Sequence, residues 1–407
     1  MSHHRFHLSL IASAVLSSAS AWGQAPAHEG KALVDAKCNT CHAIGARVGS
    51  GYDERGWKTV MRMMTNHGVP IQAEELPAMT DYLAKTYPVK GRPDAALVKG
   101  PVKVSMKAWQ AATPGSRPHD PMAARDGSLW YTGQMANVLG RVDPKTGTVK
   151  EYPLKTPHSG PHGLVEDKAG NIWYTGNTGA HVGRLNPKTG EVTEYKMPDP
   201  EAKDPHTLTF DRSGILWFTV QNANRIGRLD PRSGEIKLLT PPTPKSRPYG
   251  MALDTNDNLF VVQFGTNRIA RVDPKTLEIK EYVLPDPASR PRRVAITGDD
   301  MVWYSDYSRG YLGRLDPKTG QVKEWQSPSG PKSAPYGISA ISNVIWYSES
   351  EATPNTVVRF DPKTEKFQSW AIPGGGNIVR NTDVTRQGDF VLANSLTNEL
   401  TLVKIQK

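Results

Sequence analysis

The sequence predicts an all-β seven-bladed propeller preceded by a small all-α domain, and three observations predict it. A proline opens a repeated unit at Pro118, Pro161, Pro205, Pro248, Pro291 and Pro335, at intervals of 43, 44, 43, 43 and 44 residues. Many of the 36 Gly and 33 Pro recur at fixed places between short apolar runs, as tight turns between strands require and long helices do not tolerate. Before the repeat lie two helix-like stretches around a closely spaced cysteine pair. At 407 residues, two folded units are the starting expectation.

The repeat is clearest from Pro161 to Pro198. A first strand HGLVED is followed by a turn at Ala169-Gly170-Asn171. The strands IWYTGN and HVGRLNP come next, then the turn Lys188-Thr189-Gly190 and a last strand EVTEYKMP. Four short strands in a period in the forties make a propeller blade. Six such units run from Pro118 to Pro373, and the remainder, Ile378 to Ile405, supplies only three more strands. Val102 to Gln110 reads as the missing outer strand. Closing the ring with strands from both ends gives seven blades and removes exposed sheet edges. Trp130, Trp173, Trp217, Trp303 and Trp346, with Phe260 in the fourth blade, hold one equivalent position and read as core. Arg141, Arg184, Arg228, Arg271, Arg314 and Arg359 recur before an Asp or Asn two residues on and read as structural pairs.

The first 24 residues read as a secretory signal: Arg5, an apolar run from Leu8 to Leu16, then small residues Ser17 to Ala21 before Gln24. The run is too short to span a bilayer, and an uncleaved anchor is the alternative. Either way the folded part is expected in the periplasm, with no membrane span after signal removal. The net charge of +10 is spread over surface turns such as Asp143 to Gly147 and Asp316 to Gly320, so no nucleic-acid partner is expected.

In an exported chain two cysteines ordinarily form a disulfide. Here they stand in Cys38-Asn39-Thr40-Cys41-His42, the C-x-x-C-H arrangement of covalent haem attachment. Residues three and four apart share a helical face, so both sulfurs can reach one porphyrin while His42 meets the iron. A zinc site would need a second ligand pair, and only His67 is near. Gly30 to Ala36 reads as a first helix, and Glu74 to Tyr87 as a closing one with Leu76, Met79, Tyr82 and Leu83 apolar. Residues 28–88 are therefore expected to form a small all-α, class I-like cytochrome c domain carrying one haem c. A linker over 89–101 and the propeller over 102–407 follow.

Met61, Met63, Met64 and Met79 compete as sixth iron ligand, Met79 sitting at a packing position. The series Gly56-Trp57, Arg62-Met63, His67-Gly68 resembles the haem domains of the quinohaemoprotein amine dehydrogenase type. That resemblance implies Met63, with Met64 next and His67 as the bis-His alternative. A five-coordinate iron would need none of them.

Two series vary among the blades. At the opening of the first strand stand His119, His162, His206, Tyr249, Arg292, Tyr336 and Arg380, expected to ring one mouth of the central channel. The three histidines could converge on a metal, since imidazole suits copper, iron or zinc, or could be hydrogen-bonded turn residues. After the second strand stand Gly133, Gly176, Val220, Gln263, Asp306 and Glu349, which would make the mouth polar and charged.

The blade wording, Pro-His/Tyr-Gly, Trp-Tyr/Phe-Thr/Ser, Gly-Arg-Leu-Asp, resembles the virginiamycin B lyase (streptogramin lyase) family over roughly residues 102–407. The resemblance implies a seven-bladed propeller that linearises cyclic depsipeptides by Mg-assisted elimination. His162 and His206 match its two Pro-His histidines, and Asp204 stands where a metal-binding glutamate precedes the second. The place of the other metal-binding glutamate is Val220. Glu349 has the right local context, but its blade opens with Tyr336, so no blade carries the full set.

The expected function is periplasmic electron transfer by a c-type cytochrome whose propeller binds a small-molecule substrate or a redox protein. The alternative is a Mg-dependent C–O lyase with His162 and His206 as catalytic residues. On that view His119, Asp204 and Glu349 supply metal ligands for Mg2+ or a transition metal in the funnel. A non-catalytic binding propeller is the third reading, because fold alone decides none of these.

Overall fold

The computed structural model describes residues 27–39, 44–46 and 48–406. The signal segment, Cys41 and His42 lie outside the described residues. No helix among the described residues is long and apolar enough to cross a membrane.

Seven four-stranded antiparallel sheets follow one another along the chain, six of them built from consecutive strands. In the seventh, Lys103–Gln110 pairs with the final strand Glu399–Gln406, from Lys103 opposite Gln406 to Gln110 opposite Glu399. The ring is therefore closed by both ends of the propeller, as the leftover strands predict.

The repeated aromatics explain why the blades stack. Trp130, Trp173, Trp217, Trp303, Trp346 and Phe260 are all buried between neighbouring sheets. Trp173, for example, packs with Leu208, Leu216 and Phe218 of the next blade. The glycine of the Gly-Arg pair is needed because an aromatic ring of the second strand lies flat on it. A Cβ on Gly183 would stand 2.1 Å from the Tyr174 ring. The arginine after it mostly does not pair two residues on, as the sequence suggested. Only Arg359 does so, to Asp361 at 3.1 Å. Arg184, Arg228 and Arg314 instead lie over Trp173, Trp217 and Trp303, where a flat cation gains from the ring face.

Ahead of the propeller, α1 (Ala27–Lys37), α2 (Glu54–Asn66) and α3 (Leu76–Thr86) form a small all-α module. α1 and α3 match the two expected helices. They cross at Gly30, where a Cβ would meet the Ala78 carbonyl at 2.3 Å, so only glycine allows this approach. The Asp53 side chain caps α2 by accepting from the Gly56 N–H at 2.8 Å. Val34, Cys38, Trp57, Met61, Ile71, Met79 and Leu83 make the core.

Residues 89–101 are a strap rather than a free spacer. The Ala95 N–H donates to the Thr353 carbonyl, and Val98 exchanges bonds with Ser369 of the sixth blade. Arg92 fixes the module to the propeller through Glu351 at 3.2 Å and Asn377 at 2.7 Å. Asn66 donates to the Pro114 carbonyl, and Gly115 meets Arg62 so closely that a Cβ there would be 2.7 Å from the Arg62 Cβ. The helical module thus sits on the propeller face where the innermost strands begin.

Candidate functional site

Every innermost strand opens on a proline or, in the seventh blade, Val379, and in every blade its pairing register shifts just after that residue. Such irregularities re-aim side chains. Here they let two consecutive residues of one strand, such as His119 and Asp120 or Arg292 and Arg293, both serve the channel.

His119, His162, His206 and Tyr249 form a continuous stack, with ring centroids 3.8, 3.6 and 4.0 Å apart. All four are buried, so this part of the first variable series fills the channel rather than lining an open mouth. Arg292 lies among aromatic faces, its Cζ 3.9 Å from the Tyr336 ring and 4.1 Å from Tyr307. Arg293 crosses the channel. Its guanidinium donates to Asp120 Oδ1 at 3.1 Å, to Thr207 Oγ1 at 2.8 Å and to the Arg380 carbonyl at 3.2 Å. Asn381 donates to the other Asp120 oxygen at 2.8 Å.

Burial holds all three histidines well below their ordinary imidazole range, and nearby charged arginines add to the effect. They are neutral imidazoles at neutral pH. Burial also pushes the Asp120 carboxyl up, against the pull of Arg293.

Among the described residues, His119, Asp120 and His162 form the one group of three whose ligand atoms lie within 4.8 Å of one another. His119 Nδ1 is 2.8 Å from Asp120 Oδ1, and His162 Nδ1 has no hydrogen-bond partner. Two imidazoles and a carboxylate can hold a divalent metal, but this carboxylate already has Arg293 as its counter-ion. His206 is next in the stack, its Nδ1 3.0 Å from Thr207 Oγ1.

The acidic residues expected as ligands, Asp204 and Glu349, are not in that group of three. Asp204 accepts from the Asn222 N–H at 2.8 Å and closes a loop. Glu349, fully buried, accepts from Ser327 Oγ at 2.6 Å, from the Ser329 N–H at 2.8 Å and from Thr356 Oγ1 at 2.6 Å. Its carboxylate is spent inside the sixth blade. Asp306 likewise accepts from the Arg290 N–H at 3.0 Å and pairs with Arg309. The second variable series therefore pins loops and does not charge the mouth. Asp120 is the channel residue that the sequence pattern of histidines does not include. The signal was there, since Pro-His-Asp at Pro118 breaks the Pro-His-Gly wording of the next blade.

A second feature lies where module and propeller meet. A cavity of about 700 Å³ has Cys38, Trp57, Met61, Met63, Met64 and His67 on the helical side. Arg117, Met135, Ile378, Arg380, Ser395 and Leu396 of the propeller close the other side. Met79 is buried in the module core, as its packing position predicts, and is not part of the wall. The other three methionines and His67 all reach it, so the wall itself does not choose Met63.

Together, the fold and the channel define a seven-bladed propeller that gathers its polar residues where the innermost strands open. Residues 96–369 match the model of the virginiamycin B lyase family, and the chain belongs to that family. Among solved structures, a streptogramin B lyase is 25% identical with a TM-score of 0.68, over 74% of this chain and 98% of that one. Virginiamycin B lyase from Staphylococcus aureus, in selenomethionine form, is 24% identical with the same TM-score, over 74% and 99%. Kuenenia stuttgartiensis hydrazine synthase is similar in fold at 14% identity and a TM-score of 0.60, over 70% and 95%. No curated protein matches the chain.

Proposed function

We propose that this member of the virginiamycin B lyase family is an exported c-type cytochrome, with its haem held over the end of the propeller channel. The observation that carries the reading is the cavity between the two units, walled by Cys38 and by soft sulfur and imidazole side chains. In well-packed proteins a space of this size is where a bound group belongs, and its donors suit haem iron. Cys38 and Cys41 would hold the haem covalently, and His42 with Met63, Met64 or His67 would supply donors to its iron. Haem supplies reversible one-electron chemistry. The helices exclude water from one side of it and the propeller from the other. The reading includes transfer of single electrons between a periplasmic redox protein and a small molecule reaching the same cavity.

The test is an absorption spectrum of protein exported by a host that matures c-type cytochromes. A sharp reduced-minus-oxidised haem c difference after dithionite supports the reading. A colourless, fully folded protein removes it.

A second reading, a Mg-dependent lyase, is favoured by the family and by the adjacency of His162 and His206. It expects ring opening of a cyclic depsipeptide in the presence of Mg2+, lost in His206→Ala. Absence of turnover by the wild type would leave the redox reading alone.

A further inference from the structure

The cavity wall contributed by the propeller carries two guanidinium groups, Arg117 and Arg380. Among the described residues no carboxylate lies within ion-pair distance of either. Arg380 donates to the Ser395 hydroxyl, and among the described residues Arg117 bonds only through its backbone, its N–H donating to Asn398. Two half-buried arginines that face one largely apolar cavity without a carboxylate partner repel each other, and that repulsion is costly where water is scarce. Arg92 and Arg293, by contrast, have the carboxylates of Glu351 and Asp120 beside them, and Arg292 lies among aromatic faces.

The left-handed backbone of Arg117, φ +57°, belongs to the blade turn, since Gly160, Arg247, Ala334 and Ile378 adopt it just before their own strand openings.

We propose that Arg117 and Arg380 form a carboxylate-binding wall that holds the haem propionates, so that the propeller completes the haem site. The inference rests on the haem reading above. Guanidinium and carboxylate pair bidentately, and the pairing is strong where water is excluded. Burial and the neighbouring Arg380 push Arg117 down to about 9, which a carboxylate beside it would reverse. The cationic wall would also favour the reduced haem, whose net charge is one unit more negative than that of the oxidised form.

The test is the midpoint potential of purified holoprotein for wild type, Arg117→Gln, Arg380→Gln, the double Gln variant and the corresponding Lys variants. The double Gln variant is expected to lower the potential by about 59 mV or more, a tenfold change in the one-electron equilibrium. The Lys variants should retain most of the wild-type value. If the double variant folds poorly, the single Gln and Lys variants carry the comparison. Haem present with an unchanged potential in the Gln variants overturns the proposal while leaving the haem reading intact. Protein without haem removes both. Titration with succinate tells the two sources of carboxylate apart. An insensitive wild-type potential supports propionate as occupant, and a saturable shift that the double Gln variant loses assigns the wall to a diffusible carboxylate.

Discussion

Arg293 in the fifth blade reaches across the propeller to Asp120 in the first, with Nη2 3.1 Å from Oδ1 and both side chains almost fully enclosed. A ring of blades has no single central core, and this pair with Asn381 and Thr207 links four of the seven through the channel. Removing one partner leaves an uncompensated buried charge. Arg293→Met should therefore destabilise the propeller by about 3–5 kcal/mol. The pair variant Asp120→Leu with Arg293→Met should recover part of that loss, and thermal melting of the three proteins checks both. Equal melting of wild type and Arg293→Met would show that the channel ion pair contributes nothing.

The glycines of the Gly-Arg repeat should be intolerant of a methyl group. Gly183→Ala puts a Cβ 2.1 Å from the Tyr174 ring, which is buried and cannot withdraw. The expected cost is about 1–3 kcal/mol, by overpacking. Gly190→Ala in the exposed turn of the same blade meets nothing within 4 Å and strains only its positive φ of 78°. It should cost about 1 kcal/mol. Chemical denaturation of the two variants distinguishes the causes.

Asp383 should give stability a slope with pH. Burial raises its carboxyl to about 6, although its Oδ2 accepts the Ala123 N–H at 2.7 Å. The unfolded value is about 3.9, so the fold favours the protonated form. The contribution is fully present below about pH 4 and is lost as pH rises through about 6. Partial solvent access limits it to at most about 2 kcal/mol. Asp383→Asn should melt close to wild type at pH 4 and higher than wild type at pH 7. A constant difference across that range would contradict the assignment.

The three histidines should not bind a stoichiometric metal while Arg293 holds Asp120. Non-haem metal content is expected to be the same in wild type and in the triple variant His119→Ala, His162→Ala, His206→Ala. A metal lost in the triple variant would mean that the cluster of His119, Asp120 and His162 competes successfully with the guanidinium.

The blade period, the closing strand from Lys103 to Gln110 and the tryptophan core were legible in the sequence because each is a repeated local pattern. The histidine stack was legible as a list of channel residues, but its depth was not. Whether a strand opening lies at a rim or inside a plug depends on the long side chains of Arg292 and Arg293, which meet it from blades far away in the chain. Asp306 and Glu349 misled for a related reason. A carboxylate after the second strand looks free in the sequence, whereas the loop donors that absorb it, Ser327 and Ser329 for Glu349, come from the preceding connection. The strap over 89–101 looked like a linker because its bonds go to Thr353 and Ser369, far along the chain.

The most direct test of the central claim is the intact mass of the mature, exported protein beside that of Cys38→Ala. Wild type is predicted to exceed its polypeptide mass by one haem, with the single-cysteine variant losing most of that addition. A wild-type mass equal to that of the polypeptide alone, in a host shown to mature another c-type cytochrome, would contradict the account.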